Sequence, residues 1–139
     1  MSALQSVVPE NASVTGGEAQ REIQFRVINR VAVITLNRPA ALNALSHAMI
    51  RELAVLVEHC RNDDSIVAIA LKGAGNKGFC AGGDVREVHR LATSGDSRWL
   101  AFFVDEYRLD YALHTFPKPV VAILHGIAMG GGMGLGQAA

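Results

Sequence analysis

Two apolar runs rich in β-branched residues pass straight into glycine: "IVAIALK" (66–72) into "GAGNKGFCAGGD", and "VVAIL" (120–124) into "HGIAMGGG". Short runs of this kind suit strands buried on both faces, the usual state of a parallel sheet. In open α/β sheets, ligands gather at the carboxyl ends of the strands. If the two runs are parallel neighbours, both glycine loops face each other at one edge. That pairing limits the fold and the place of a site together.

The rest of the chain supplies what such a sheet needs. "EIQFRVI" (22–28) alternates polar and apolar residues, and "VAVITLN" (31–37) is β-branched. Asn29-Arg30 between them predicts a two-residue hairpin. Pro39 then ends the sheet pattern. Ser46 reads as an N-cap, and Met49, Ile50, Leu53, Leu56, Val57 and Cys60 recur at three- and four-residue steps, which predicts an amphipathic helix. "GAGNKGFCAGGD" reads as a loop. Helical pattern returns at 85–92 and at 98–114, and Pro117 and Pro119 stop it. Glu106, Tyr107 and Asp110 read as a solvated acidic face of that helix. The order β-β-α-β-α-α-β implies an α/β layer with a parallel sheet. Residues 1–20 read as a mobile tail and 21–139 as one domain.

Composition narrows the function. The 139 residues carry no formal net charge, which argues against nucleic acid or an anionic membrane as the main partner. The five histidines and two cysteines show no metal-ligand spacing, so no metal is expected. Cys60 and Cys80 imply no disulfide framework, and a reducing compartment is the default. The first twenty residues hold no Lys or Arg and no signal-peptide core. A cytoplasmic location is therefore expected.

The glycine tracts admit four readings. They can be tight turns with close packing. A membrane span fits the absence of charge from Pro119 to Ala139, but six glycines would each weaken a helix by about 1 kcal/mol relative to alanine. A phosphate cradle fits poorly, because no GxxxxGK[ST] is present. An oxyanion hole needs two N–H donors aimed at one point with no side chain in the way. Two glycine loops at neighbouring strand ends can supply one donor each.

Three segments carry a resemblance. "VAVITLNRPAALNAL", "GFCAGGDVRE" and "KPVVAILHGIAMGGGMGL" occur in the order of the CoA-contacting, F-x-A-G-x-D and K-P-x-x-A-x-x-x-G-x-x-x-G-G-G motifs of the crotonase (enoyl-CoA hydratase/isomerase) superfamily. The resemblance covers about residues 22–139. It implies a ββα spiral core, incomplete in this chain, that binds acyl-CoA thioesters. Coenzyme A would come as part of the substrate, with no permanently bound cofactor. The resemblance places the two oxyanion donors at the amides of Gly83 and Gly131. It assigns Ala40, Ala41, Leu42, Ala81 and Asp84 to the substrate, although the family often carries a basic residue where this chain has Ala40. Capping of the next helix is the simpler role for Asp84.

The branch is read from departures. Hydratases of this superfamily place a glutamate two residues after the last glycine of the triplet, where this chain has Gly134. "MGGGMGL" and "FFVDEYRLDYAL" resemble the 3-hydroxyisobutyryl-CoA hydrolase branch, in which a downstream Glu and Asp carry the chemistry. Those would lie beyond residue 139, so the chain reads as the N-terminal part of a longer protein. A chain ending there is expected to expose apolar surface, and so to self-associate or to pair with the missing C-terminal half; the resemblance implies a trimer or hexamer.

Overall fold

The computed structural model describes residues 20–139, so the tail expected at 1–20 lies, but for its last residue, outside the described residues. A hairpin opens the fold. Strands β1 (Ile23–Ile28) and β2 (Val31–Leu36) pair antiparallel along all six residues. Asn29 and Arg30 both take positive φ, 49° and 68°, the backbone that a two-residue turn requires to match strand twist.

Helix α1 (His47–Asn62) crosses from β2 to β3 (Ala68–Gly73), which lies parallel beside β2. The Ser46 hydroxyl caps α1 by accepting from the Met49 N–H at 3.1 Å. Strand β4 (Gly78–Cys80), helices α2 (Val85–Thr93) and α3 (Arg98–His114) and strand β5 (Val120–Ile123) follow, with β5 parallel to β3. The main sheet runs β1-β2-β3-β5. A short β6 (Ile127–Ala128) pairs parallel with β4 as a second sheet, and α4 (Gly131–Ala138) closes the described chain.

The core forms where α1 lies on the main sheet. Met49, Ile50, Leu53, Leu56, Val57 and Cys60 meet Ile34, Leu36, Ile69 and Leu71, all at most 1% exposed. Each of the larger side chains contributes about 1.5–3 kcal/mol by leaving water.

Two expectations need correction. The runs at 66–72 and 120–124 are not buried on both faces. Val121 and Ile123 are half-exposed, because β5 is the edge of the sheet and α1 covers only the opposite face. The segment "GAGNKGFCAGGD" is not all loop either. Gly78–Cys80 is a strand, which three residues flanked by glycine are too few to reveal as periodicity.

Lys118, just ahead of β5, ties the edge to the core. Its ammonium donates to the Cys60 and Asp63 carbonyls at 2.6 and 2.7 Å, and so satisfies backbone acceptors at the end of α1. Lys118→Met keeps the stem and removes both bonds. The variant is expected to lose about 2 kcal/mol, read as a lower urea midpoint with an unchanged slope. An unchanged midpoint would remove the clamp from the account.

Candidate active site

The loops after β2 and β4 are stitched together by backbone. Ala81 N–H donates to the Leu42 carbonyl at 3.0 Å, Leu45 N–H to Gly82 at 2.8 Å, and Asp84 N–H to Leu45 at 2.8 Å. This short parallel bridge skips the Gly83 amide. Pairing of β4 with β6 adds Phe79 N–H to the His125 carbonyl at 2.8 Å and Met129 N–H to Cys80 at 3.1 Å. The glycine triplet is thereby drawn against residues 80–83, the meeting of loops that the sequence implied.

Gly131 is the first residue of α4. Its N–H therefore has no carbonyl one turn earlier to bond. Neither the Gly83 nor the Gly131 amide donates to any described group. A Cβ built on Gly131 would lie 3.5 Å from the Gly83 nitrogen and would overlap Glu106 Oε1. The position thus tolerates no side chain while Glu106 stays in place. Two free donors stand close together at the start of a helix whose dipole favours negative charge there.

They open on a cavity of about 310 Å³. Helix α3 supplies its far wall through Phe102, Phe103, Glu106, Tyr107 and Asp110, and α2 adds Val85 and Val88. Helix α3 is held there from α1. His47 Nε2 lies 2.7 Å from Asp105 Oδ2, and the His47 ring packs on Phe102 at 5.7 Å. The bond from His47 is the main reason that the Asp105 carboxyl stays below its ordinary range.

The solvated acidic face expected of α3 is corrected here. Tyr107 is 70% exposed, but Glu106 is only 8% exposed. Glu106 shares the helical phase of Phe102, Leu109 and Leu113, all buried. Burial, and then the neighbouring Asp110, raise the Glu106 carboxyl. Burial alone pushes Asp110 up to about 6. An acid in an apolar helical phase was the signal available in the sequence, since such a residue points inward with the hydrophobes.

The remaining candidates separate into two groups. Ala40 and Leu42 line a second cavity of about 240 Å³ with Pro39, Asn43 and Lys77. Ala40 and Ala41 belong to a 3₁₀ turn, Pro39–Ala41, that ends on Leu42 at φ 53°. Buried Asn43 pins this turn, its Nδ2 donating to the Ala74 and Gly78 carbonyls at 2.9 and 3.0 Å.

Ala41, Ala81 and Asp84 line neither cavity. Asp84 caps α2 by accepting from the Arg86 and Glu87 N–H groups, and pairs with Arg38 at 3.2 Å. Burial alone would raise its carboxyl, but the Glu87 amide and Arg38 together hold it below the ordinary range. Cys80 is fully buried, and burial pushes its thiol up to about 11. It is thus not a thiolate at neutral pH.

Comparison with known proteins shows the family to which the chain belongs. The family profile of the enoyl-CoA hydratase/isomerase group matches residues 31–139. The chain is 48% identical over 132 residues to the mitochondrial 3-hydroxyisobutyryl-CoA hydrolase of Gallus gallus, covering 95% of this chain and 34% of that protein. It is 42% identical over 118 residues to the protein of the same name from Danio rerio, covering 85% of this chain and 31% of that one. Among solved structures, an enoyl-CoA hydratase from Rhodobacter sphaeroides superposes with a TM-score of 0.82 at 38% identity, over 86% of this chain and 36% of that one. The chain thus spans about a third of the length of the curated relatives it matches. The expected cytoplasmic location is overturned by the same relatives, which are designated mitochondrial and so point to the mitochondrion.

Proposed function

Because the chain belongs to the enoyl-CoA hydratase/isomerase family, we propose that the protein it represents processes acyl-CoA thioesters, and that it hydrolyses one of the 3-hydroxyisobutyryl type. The observation that carries the proposal is the pair of free amides at Gly83 and Gly131 opening on one cavity. When a nucleophile adds to a thioester carbonyl, negative charge grows on the oxygen. Two N–H donors fixed by backbone meet that charge without reorganising. The start of α4 at Gly131 adds a favourable dipole. Glu106, raised by burial, faces the same space and suits proton transfer close to the reacting carbonyl. In the net reaction, water adds to the carbonyl carbon, the carbon–sulfur bond breaks, and the sulfur leaves as the CoA thiol.

The cavity beside the 3₁₀ turn is assigned to part of the coenzyme A moiety. Lys77 there brings a positive charge to a cavity that Ala40 leaves uncharged. Val121 and Ile123, exposed on one face of the edge strand β5, are assigned to contact with further chain or with a second copy, since exposed apolar surface on a sheet edge suits an interface.

Hydration of an enoyl-CoA is the second reading, favoured by the superposed enoyl-CoA hydratase. One experiment separates the two. The complete gene product is assayed for CoA release from 3-hydroxyisobutyryl-CoA and for hydration of crotonyl-CoA. CoA release is expected to be the faster, and faster hydration refutes the hydrolase. Turnover of neither leaves a CoA-binding protein without catalysis.

A further inference from the structure

Asp110 has a carboxylate oxygen with nothing to bond. Its Oδ1 is buried and is the buried side-chain oxygen that lacks a hydrogen-bond partner among the described residues. Such atoms are rare in folded proteins and call for an explanation. The other oxygen, Oδ2, comes within 2.7 Å of where a Cβ on Gly134 would stand. The bare backbone of α4 leaves the room that this carboxyl occupies.

No neighbouring group among the described residues supplies the missing donor. Glu106, one turn back on α3, is the ionisable group facing Asp110. Helix α4, packed across from it, carries no ionisable side chain, and its Gly134 N–H is already given to the Gly130 carbonyl at 3.1 Å. Helix α2 turns Val85 and Val88 toward the cavity. His47 and Arg51 of α1 are engaged with Asp105.

Resting on the acyl-CoA reading above, we infer that Asp110 is a specificity-determining residue that accepts a hydrogen bond from a hydroxyl on the acyl group. The surrounding wall is apolar, through Val88, Phe102 and Phe103, so the donor belongs to a largely hydrocarbon group. Asp110 faces Gly134, one turn along α4 from the Gly131 amide, and the 3-hydroxyl of the acyl group proposed above is the donor assigned to it.

The test compares 3-hydroxyisobutyryl-CoA with isobutyryl-CoA, which lacks only the hydroxyl, in the complete gene product. D110A is expected to lower kcat/KM for the hydroxylated substrate about 10–100-fold more than for the other, the size of one hydrogen bond to a charged acceptor. D110N keeps an acceptor and is expected to hold the ratio within about fivefold of the wild type. The wild-type ratio should also rise between pH 5 and 7 as a carboxyl at about 6 ionises, and D110N should abolish that rise.

A ratio unchanged in D110A assigns the open oxygen to water and overturns the inference, as does an equal loss on both substrates. If D110A does not fold, D110N decides, because a rise with pH that survives in it belongs to another group. Failure of the wild type to release CoA from either thioester overturns the hydrolase reading itself.

Discussion

Gly131→Pro is expected to keep the fold and lower turnover about 10²–10³-fold, the effect of losing one oxyanion donor. Proline is well tolerated at the first position of a helix, where the N–H has no intrahelical partner and φ already suits the ring. Gly131 holds that position in α4, so the lost donor is one that the helix does not use. The added ring does meet Glu106 Oε1. That atom is the end of a flexible side chain and can swing aside, whereas an amide cannot be replaced. The measurement pairs kcat with far-UV circular dichroism and a melting curve. Near-normal turnover in a folded variant would take Gly131 out of the mechanism. Loss of structure would instead show that α4 depends on glycine there for packing.

The meeting of the two glycine loops was legible in the sequence because its logic is topological, whereas the choice of Gly83 and Gly131 within them came from the family resemblance. Two β-branched runs ending in glycine, with helices between them, leave few arrangements other than parallel neighbours with adjacent loops. The hairpin at Asn29-Arg30, the Ser46 cap and the span of α3 were legible for the same local reasons: turn chemistry, capping and three-to-four periodicity.

Glu106 and Asp110 were not legible, because polarity was weighed above phase. Acids on a helix usually face water. Glu106 faces inward because it stands four residues after Phe102 and three before Leu109, both buried. What tolerates a carboxyl there is the absence of side chains opposite, at Gly131 and Gly134. That compensation comes from another element and appears only once α3 and α4 are packed together. Strand β6 was hidden similarly, since its two residues become a strand only by pairing with β4.

Gly126→Ala is expected to be the most damaging single change for the fold, costing more than about 3 kcal/mol from the combined backbone and packing effects. Gly126 sits at φ +55°, and a Cβ there would overlap the Lys77 carbonyl oxygen and stand 2.8 Å from its carbon. Both atoms are backbone, so nothing can rotate away. Relief would require parting residues 77–78 from 126–127, the contact that holds β4 to β6 and so holds Gly83 beside Gly131.

Gly95→Ala separates the two contributions. Gly95 has φ +74° with nothing within 4 Å of its Cβ position, so it incurs only the left-handed backbone cost of about 1–2 kcal/mol. Thermal melts should place Gly95→Ala a few degrees below the wild type and Gly126→Ala more than about 10 °C below it. Equal shifts would mean that the β4–β6 junction yields easily. The closeness of Gly83 to Gly131 would then have to be held from the α3 side, through Glu106 and Phe102.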